Sequence, residues 1–278
     1  MKKTYVIGDV HGNILTLKSL LDHINYDSTV DNLIFLGDLV GADNDNVGTL
    51  RFIRSLPNTI SLLGNHDINV IENWYLLNYS HLDTRKPKLF LDYVSQLDAS
   101  DISWMQSFQL VLKIDNYIMV HAGIPTLFLN NIEHDLDRVC NAADKLSTML
   151  KQDISLCVDI WYYPRSFEFN EKHLDLSNRE SALILMKIFT QVRYVKHQNF
   201  FEEKKSYETS FPSEGIYPWY NNLHLNNYKI LFGHWSELRG KSGREDVINL
   251  DTGCKQKDRL TCYRLEDGIT FSVKCIDL

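Results

Sequence analysis

The side chains able to do chemistry come in five short runs. They are Gly8-Asp9-Val10-His11-Gly12, Gly37-Asp38-Leu39-Val40, Gly64-Asn65-His66-Asp67, Val120-His121-Ala122-Gly123 and Gly233-His234. Each follows a short apolar stretch, so each is expected at a strand end. Asp9 and His11 alternate along extended backbone and can point into one crevice. Asp38 has two carboxylate oxygens and can serve two ions. Asn65 offers an amide oxygen, and His121 and His234 offer imidazole nitrogens. One metal then takes Asp9, His11 and Asp38, and a second takes Asp38, Asn65, His121 and His234. So few protein ligands per ion leave positions open for water and phosphate, as in a catalytic site. Mixed oxygen and nitrogen donors suit Mn²⁺, Co²⁺, Fe or Zn²⁺ better than Mg²⁺ or Ca²⁺. Such a two-metal centre cleaves phosphate esters or anhydrides with activated water. Taken singly, a Gly-Asp turn or a strand-end histidine is an ordinary structural feature; the set of five in order carries the reading. His23, His81, His134, His173, His197 and His224 lie outside any such run and read as core or surface residues.

The elements that must position these residues are visible in the apolar pattern. Tyr5 to Ile7, Leu33 to Leu36 and Thr59 to Leu63 read as strands. Between them lie helical segments, with Ile14, Leu17, Leu20, Leu21 and Ile24 at helical spacing and a second helix from Val47 to Leu56. This β-α-β-α-β order implies parallel strands with helical crossovers. Residues Pro87 to Leu112 read as mainly helical, and Tyr117 to Val120 as a further strand. The polar, helix-forming stretch of about 133–220 separates His121 from His234 and is expected to be a cap-like insertion in a single domain spanning 1–278. Strands return at Ile230 to Phe232, Val247 to Leu250, Leu260 to Leu265 and Ile269 to Val273, with a hairpin at Glu266-Asp267-Gly268.

Composition limits the function classes. A 278-residue chain that is 44% hydrophobic can bury a large core. Its net charge of -7 argues against a general nucleic-acid or membrane binder. It does not argue against an anionic substrate, because two divalent cations would reverse the local field. The 5 cysteines, at 140, 157, 254, 262 and 275, contain no CxxC pair and read as reduced thiols. No apolar run approaches the ~18 residues of a membrane span. A soluble, cytoplasmic protein is expected.

The runs GDVHG, GDLV, GNHD, HAG and GH resemble those of the calcineurin-like metallophosphoesterases, in the branch related to serine/threonine protein phosphatases. Further runs are similar to the symmetrical diadenosine tetraphosphate hydrolases within that branch. They are His121-Ala122-Gly123-Ile124-Pro125, Phe189-Thr190-Gln191-Val192-Arg193, Pro218-Trp219, Phe232-Gly233-His234-Trp235, Gly240-Lys241, Leu250-Asp251-Thr252-Gly253-Cys254 and Leu260-Thr261-Cys262. The resemblance implies a four-layer α-β-β-α sandwich with the dimetal site at strand C-termini. It implies hydrolysis of P1,P4-bis(5'-adenosyl) tetraphosphate to two ADP, and action on other dinucleoside polyphosphates or nucleotide-capped RNA 5' ends. It also implies that Asp9, His11, Asp38, Asn65, His121 and His234 are the ligands and that His66 is the general acid, with Asp67 beside it in the catalytic set.

Two departures from the family pattern stand out. Ala42 occupies the place of an arginine that follows the bridging aspartate, and Trp161-Tyr162-Tyr163-Pro164 replaces a Met-Tyr-Gly-Asn run. Arg193 is then the expected cation for the polyphosphate, with Arg51 and Arg244 as other sources of positive charge. Tyr162, Trp219 and Trp235 are candidates to stack adenine, each weighed against simple packing. Two rival functions remain open on sequence: a serine/threonine-type protein phosphatase, and a degenerate protein that binds a nucleotide polyphosphate without turnover.

Overall fold

The computed structural model describes residues 2–41, 44–79, 88–125, 132–196, 200–202 and 212–277. In chain order its elements are β1 (Thr4–Ile7), α1 (Ile14–His23), β2 (Asn32–Phe35), α2 (Asn46–Ser55), β3 (Thr59–Ser61) and α3 (Asn65–Tyr79). Then come α4 (Lys88–Val94), α5 (Ala99–Met105), β4 (Val111–Ile114), β5 (Tyr117–Val120), α6 (Ile132–Gln152) and α7 (Ser155–Asp159). The remainder comprises β6 (Phe167–Glu168), α8 (Arg179–Gln191), β7 (Tyr194–Lys196), β8 (Phe200–Glu202), β9 (Ile216–Pro218), β10 (Lys229–Phe232), β11 (Val247–Asn249), β12 (Arg259–Arg264) and β13 (Thr270–Lys274).

Two sheets form the centre. One has the order β13-β12-β1-β2-β3 and the other β11-β10-β5-β4. The strands β1, β2 and β3 run parallel, as do β11, β10 and β5. Side-chain alternation sorts each strand's residues between two apolar layers. Val6, Ile34, Leu36, Leu62, Met119, Leu231 and Tyr263 form one cluster, contributed by both sheets, and so fill the space between them. Tyr5, Ile7, Leu33 and Phe35 face the other way and join the larger cluster with Leu17, Leu20 and Leu50 of the first two helices. This is the sandwich architecture expected from the resemblance.

Register places the site. Ile7 pairs with Phe35, and Phe35 with Ser61, so β1, β2 and β3 end level. Val120 pairs with Phe232, so β5 and β10 also end level. The turns that follow all five strands therefore emerge along one edge of the two sheets.

The structure departs from the sequence expectation in two places. The 87–112 stretch is helical only through α5; it then enters β4, which pairs antiparallel with β5. The 133–220 insertion is not wholly helical. Besides α6, α7 and α8 it holds a small antiparallel sheet of order β6-β8-β7-β9. These strands are two or three residues long, too short to show a period of two in the sequence.

Candidate metal centre

The loops after β1, β2, β3, β5 and β10 bring their polar side chains together at the common edge. His11 (φ 49°), Asp38 (φ 52°) and His234 (φ 63°) adopt left-handed backbone. Each such residue costs on the order of 1–3 kcal/mol of local strain, and such strain concentrates at functional sites. The loops also approach one another more closely than side chains allow. A Cβ on Gly233 would overlap the Asp9 carboxylate, and one on Gly64 would overlap that of Asp38.

Asp38 stands in the middle. Its Oδ2 lies 3.7 Å from His11 Nε2 and 4.0 Å from His66 Nε2, and its Oδ1 lies 3.5 Å from His121 Nε2. The two oxygens thus face two different sets of nitrogens, as a bridging carboxylate requires. Asn65 Oδ1 lies 3.2 Å from His121 Nε2 and 2.8 Å from His234 Nδ1. Asp9 Oδ2 lies 3.9 Å from His11 Nε2, and the Asp9 carboxylate accepts the amide of His234 at 3.0 Å. Ligand atoms of His11, Asp38 and His66 fall within 4.8 Å of one another, and so do those of Asp9, Asp38 and His121.

Three histidines are aimed by backbone carbonyls. His11 Nδ1 is 3.2 Å from the oxygen of Val40, His121 Nδ1 is 2.8 Å from that of Leu36, and His234 Nε2 is 3.0 Å from that of Gln191. A carbonyl can only accept, so the proton sits on that nitrogen and the lone pair of the other faces the crevice. Metal-binding imidazoles are oriented in this way. Burial lowers His11 and His121 to about 3 and lowers His234 well below its ordinary value, so all three are neutral at physiological pH. Burial also raises Asp38 and Asp251 to about 7. Asp9 is raised by burial and then by the neighbouring charges of Asp251 and Asp38. Neutral inward-facing imidazoles beside crowded carboxylates form a donor set that fits divalent cations.

The other expected site residues divide. Arg193 reaches the centre, where its Nη2 donates to the carbonyl of His234 at 3.0 Å. His66 stands at the crevice, its ring edge-on to that of His11 with centroids 4.9 Å apart. Its own amide donates to Asp38 Oδ1 at 2.8 Å. Asp67 does not take the catalytic place expected of it. Its carboxylate is fully buried and accepts the amides of Asp38 at 2.8 Å, Leu39 at 3.1 Å and Gly64 at 3.0 Å. It positions the loops instead of facing the crevice.

The adenine-stacking expectation is corrected for Trp219 and Trp235, both 1% exposed. Trp219 packs edge-on against Tyr220 and Phe232, and Trp235 against Tyr194. Rings so enclosed have no free face for a base. Tyr162 is exposed and keeps one. Arg51 is held by Asp101 and the carbonyl of Gln96, and Arg244 by Asp246 and the carbonyl of Tyr220, so neither serves the site. Ala42, Asp43, His81 and His197 lie outside the described residues.

Two residues escaped the sequence reading of the site. Asp251 follows β11 as Asp38 follows β2, and that strand-end position was the available signal. Lys255 comes from a turn in the same run, and its Nζ lies 2.9 Å from His66 Nε2. Nothing in spacing alone would have marked it.

Comparison with known proteins agrees with this geometry. The bis(5'-nucleosyl)-tetraphosphatase, symmetrical, of Proteus mirabilis is 31% identical over 277 residues, covering 96% of this chain and 96% of the relative. The protein of the same name from a Marinomonas species is 30% identical over 279 residues, covering 98% and 97%. A crystal structure described as that of a candidate diadenosine tetraphosphatase superposes with a TM-score of 0.64 at 18% identity, over 99% of this chain and 94% of that one, which shows a shared fold. The family model for calcineurin-like phosphoesterases matches residues 2–251. Five strand-end motifs on one edge and a match over most of the sequence place this chain in the calcineurin-like phosphoesterase family.

Proposed function

We propose that this chain hydrolyses dinucleoside polyphosphates, P1,P4-bis(5'-adenosyl) tetraphosphate foremost, at the central anhydride to give two ADP. The observation that carries this is similarity over nearly the full length to relatives named symmetrical tetraphosphatases, joined to an undegraded set of ligand side chains. That complete set weighs against a degenerate binding protein. The relatives' names weigh against a protein phosphatase.

Asp9, His11, Asp38, Asn65, His121 and His234 are the residues proposed to hold two divalent metals, Mn²⁺ or Co²⁺ in preference to Fe or Zn²⁺. When bound, such ions lower the pKa of water to about 7 and neutralise charge on the attacked phosphate. The water oxygen bonds to an inner phosphorus, the central P–O bond breaks, and its electron pair leaves with ADP. Arg193 holds nonbridging oxygens. Its Nε is buried without a hydrogen-bond partner, which leaves a guanidinium donor for a phosphate. His66, at the crevice and outside the carbonyl-anchored trio, hands a proton to the departing oxygen. ADP departs readily, because a terminal phosphate has a second pKa of ~6, so His66 contributes less here than it would to an alkyl ester. The 133–220 insertion belongs to the same single domain in this reading. Among the described residues no helix is long and apolar enough to cross a membrane; a cytoplasmic location is part of the proposal.

The test is hydrolysis by Mn²⁺- or Co²⁺-loaded protein with products resolved by chromatography. ADP alone is expected. Equal AMP and ATP would refute central cleavage, and faster turnover of a phosphoserine peptide would favour a protein phosphatase. Nucleotide-capped RNA, which carries the same anhydride, is the natural competing substrate in that assay.

A further inference from the structure

We propose that Lys255 is a catalytic cation of this centre and holds the phosphate arm that departs when the tetraphosphate is cut. The proposal rests on the function proposed above and adds a residue and an orientation to it.

Lys255 belongs to the 3-10 turn Cys254–Gln256, which follows Asp251 by a few residues. The turn is rigidly made. The amides of Gln256 and Asp258 both donate to the carbonyl of Gly253, at 2.9 and 3.0 Å, and that of Lys257 donates to Cys254 at 3.0 Å. Gly253 enters the turn at φ 85°, and the buried Cys254 side chain fixes it to the core. From this base the exposed Lys255 side chain reaches His66, and its Nζ lies 2.9 Å from the ring Nε2. His66 Nε2 in turn lies 4.0 Å from Asp38 Oδ2.

Other nearby cations are committed elsewhere. Lys257 bonds to Asn44 and to the carbonyl of Asp277, and Arg239 to Asp258. Arg51 and Arg244 serve the structural contacts described above. Among the described residues, Arg193 and Lys255 are the cations that reach the centre. They approach it from different sides. Arg193 lies at His234, with its charge felt by His121 and His234. Lys255 lies at His66, with its charge felt by His11 and Asp38.

A symmetrical tetraphosphate presents two diphosphate arms to the bond that breaks. Two cations on two flanks match two arms. An ammonium has three N–H donors; one bonds to His66 Nε2 only while that nitrogen is neutral, and is turned away from it when His66 carries the proton it gives up. The remaining donors can meet phosphate oxygens beside the atom that His66 protonates. That position belongs to the departing ADP, which gains negative charge as the P–O bond breaks. A cation there binds the transition state more tightly than the ground state, so it acts on turnover more than on affinity. Lys255 then supplies positive charge in a chain that has Ala42 where its family pattern has arginine.

Lys255→Met and Lys255→Arg test this on the full-length, metal-loaded protein. The side chain is exposed, so both variants should keep the wild-type melting temperature and metal content. Lys255→Met should lower kcat on the tetraphosphate about tenfold or more, with a smaller change in KM. Lys255→Arg should recover most of that loss. On 4-nitrophenyl phosphate, whose leaving group carries no phosphate arm for Lys255 to hold, the Lys255→Met loss should be smaller. Unchanged kcat in Lys255→Met, or equal losses on the two substrates, would overturn the inference. Wild-type protein inert toward the tetraphosphate but active on 4-nitrophenyl phosphate would overturn the proposed function itself, and the inference with it.

Discussion

Asp38 concentrates the demands on this centre. Its two oxygens face the His11 and His121 sides, while its backbone amide is held by Asp67. An amide in its place would keep the shape and lose the charge that two cations share. Asp38→Asn should lower kcat on the order of 10²–10³-fold or more, and metal analysis should find fewer ions per chain. Full activity in chelator-treated protein would sink the two-metal mechanism. The same residue sets a pH dependence. Without metal, Asp38 and Asp251 are raised to about 7, so the folded protein keeps protons that the unfolded chain releases near pH 4. Their protonation therefore favours the metal-free fold at low pH, and this contribution is lost as pH rises through about 7. Cations bind the ionised form, so apparent metal affinity should weaken as pH falls below about 7. His11 and His121, already neutral above about 3, should add no proton competition in that range. Calorimetric titration in buffers of different ionisation enthalpy should show proton release at pH 6 that fades by pH 8; no release at pH 6 would contradict the assignment.

At the scale of elements, the site is built by turns tied to one another. Asp67, in the first turn of α3, accepts amides from the turn after β2 and from the turn after β3. One carboxylate therefore sets the spacing of two ligand-bearing loops. Asp67→Ala would strand three buried amides. Each such group costs about 1–3 kcal/mol when left unsatisfied, so a loss of several kcal/mol is expected in urea unfolding, together with metal loss. A variant of unchanged stability and metal content whose kcat alone collapsed would show Asp67 to be catalytic after all. The Asp67 signal was legible as part of GNHD, but its role was not. An aspartate beside a candidate acid reads as its partner until the backbone shows where the carboxylate points.

Across the whole molecule, the insertion and the two central sheets are locked together through apolar packing near the centre. Trp219 follows β9 of the small sheet, yet its ring packs on Phe232 of β10, and its backbone amide bonds to the carbonyl of Arg193 at 3.0 Å. A Cβ on Gly123, just after His121, would crowd this same ring. Trp219→Ala should destabilise by about 3–5 kcal/mol in chemical denaturation. At a temperature where the variant is folded, KM for the tetraphosphate should change little. A large KM rise in a stable Trp219→Ala protein would restore the base-stacking role that its burial argues against.

The strands that carry the site, the α/β class and the convergence of six candidate ligand side chains could be read from the chain because each depends on local pattern. Apolar runs of period two or 3.6 announce strands and helices, and a ligand that directly follows a strand must emerge at its end. What the chain could not announce depends on residues far apart in sequence. Asp277 accepts the amides of Leu15 and Thr16, at 3.0 and 2.8 Å, and so caps α1 from the far end of the described chain, where Asn13 makes no side-chain cap of its own. Asp251 and Lys255 join the centre only because β11 lies beside β10 and the following turn folds back toward His66. Trp219 and Trp235 carry the same ring whether packed or free, and only the neighbours that surround them decide between core and binding surface. Sequence spacing fixes what a side chain can do, whereas strand register, burial and the direction of a carboxylate decide whether it does it here.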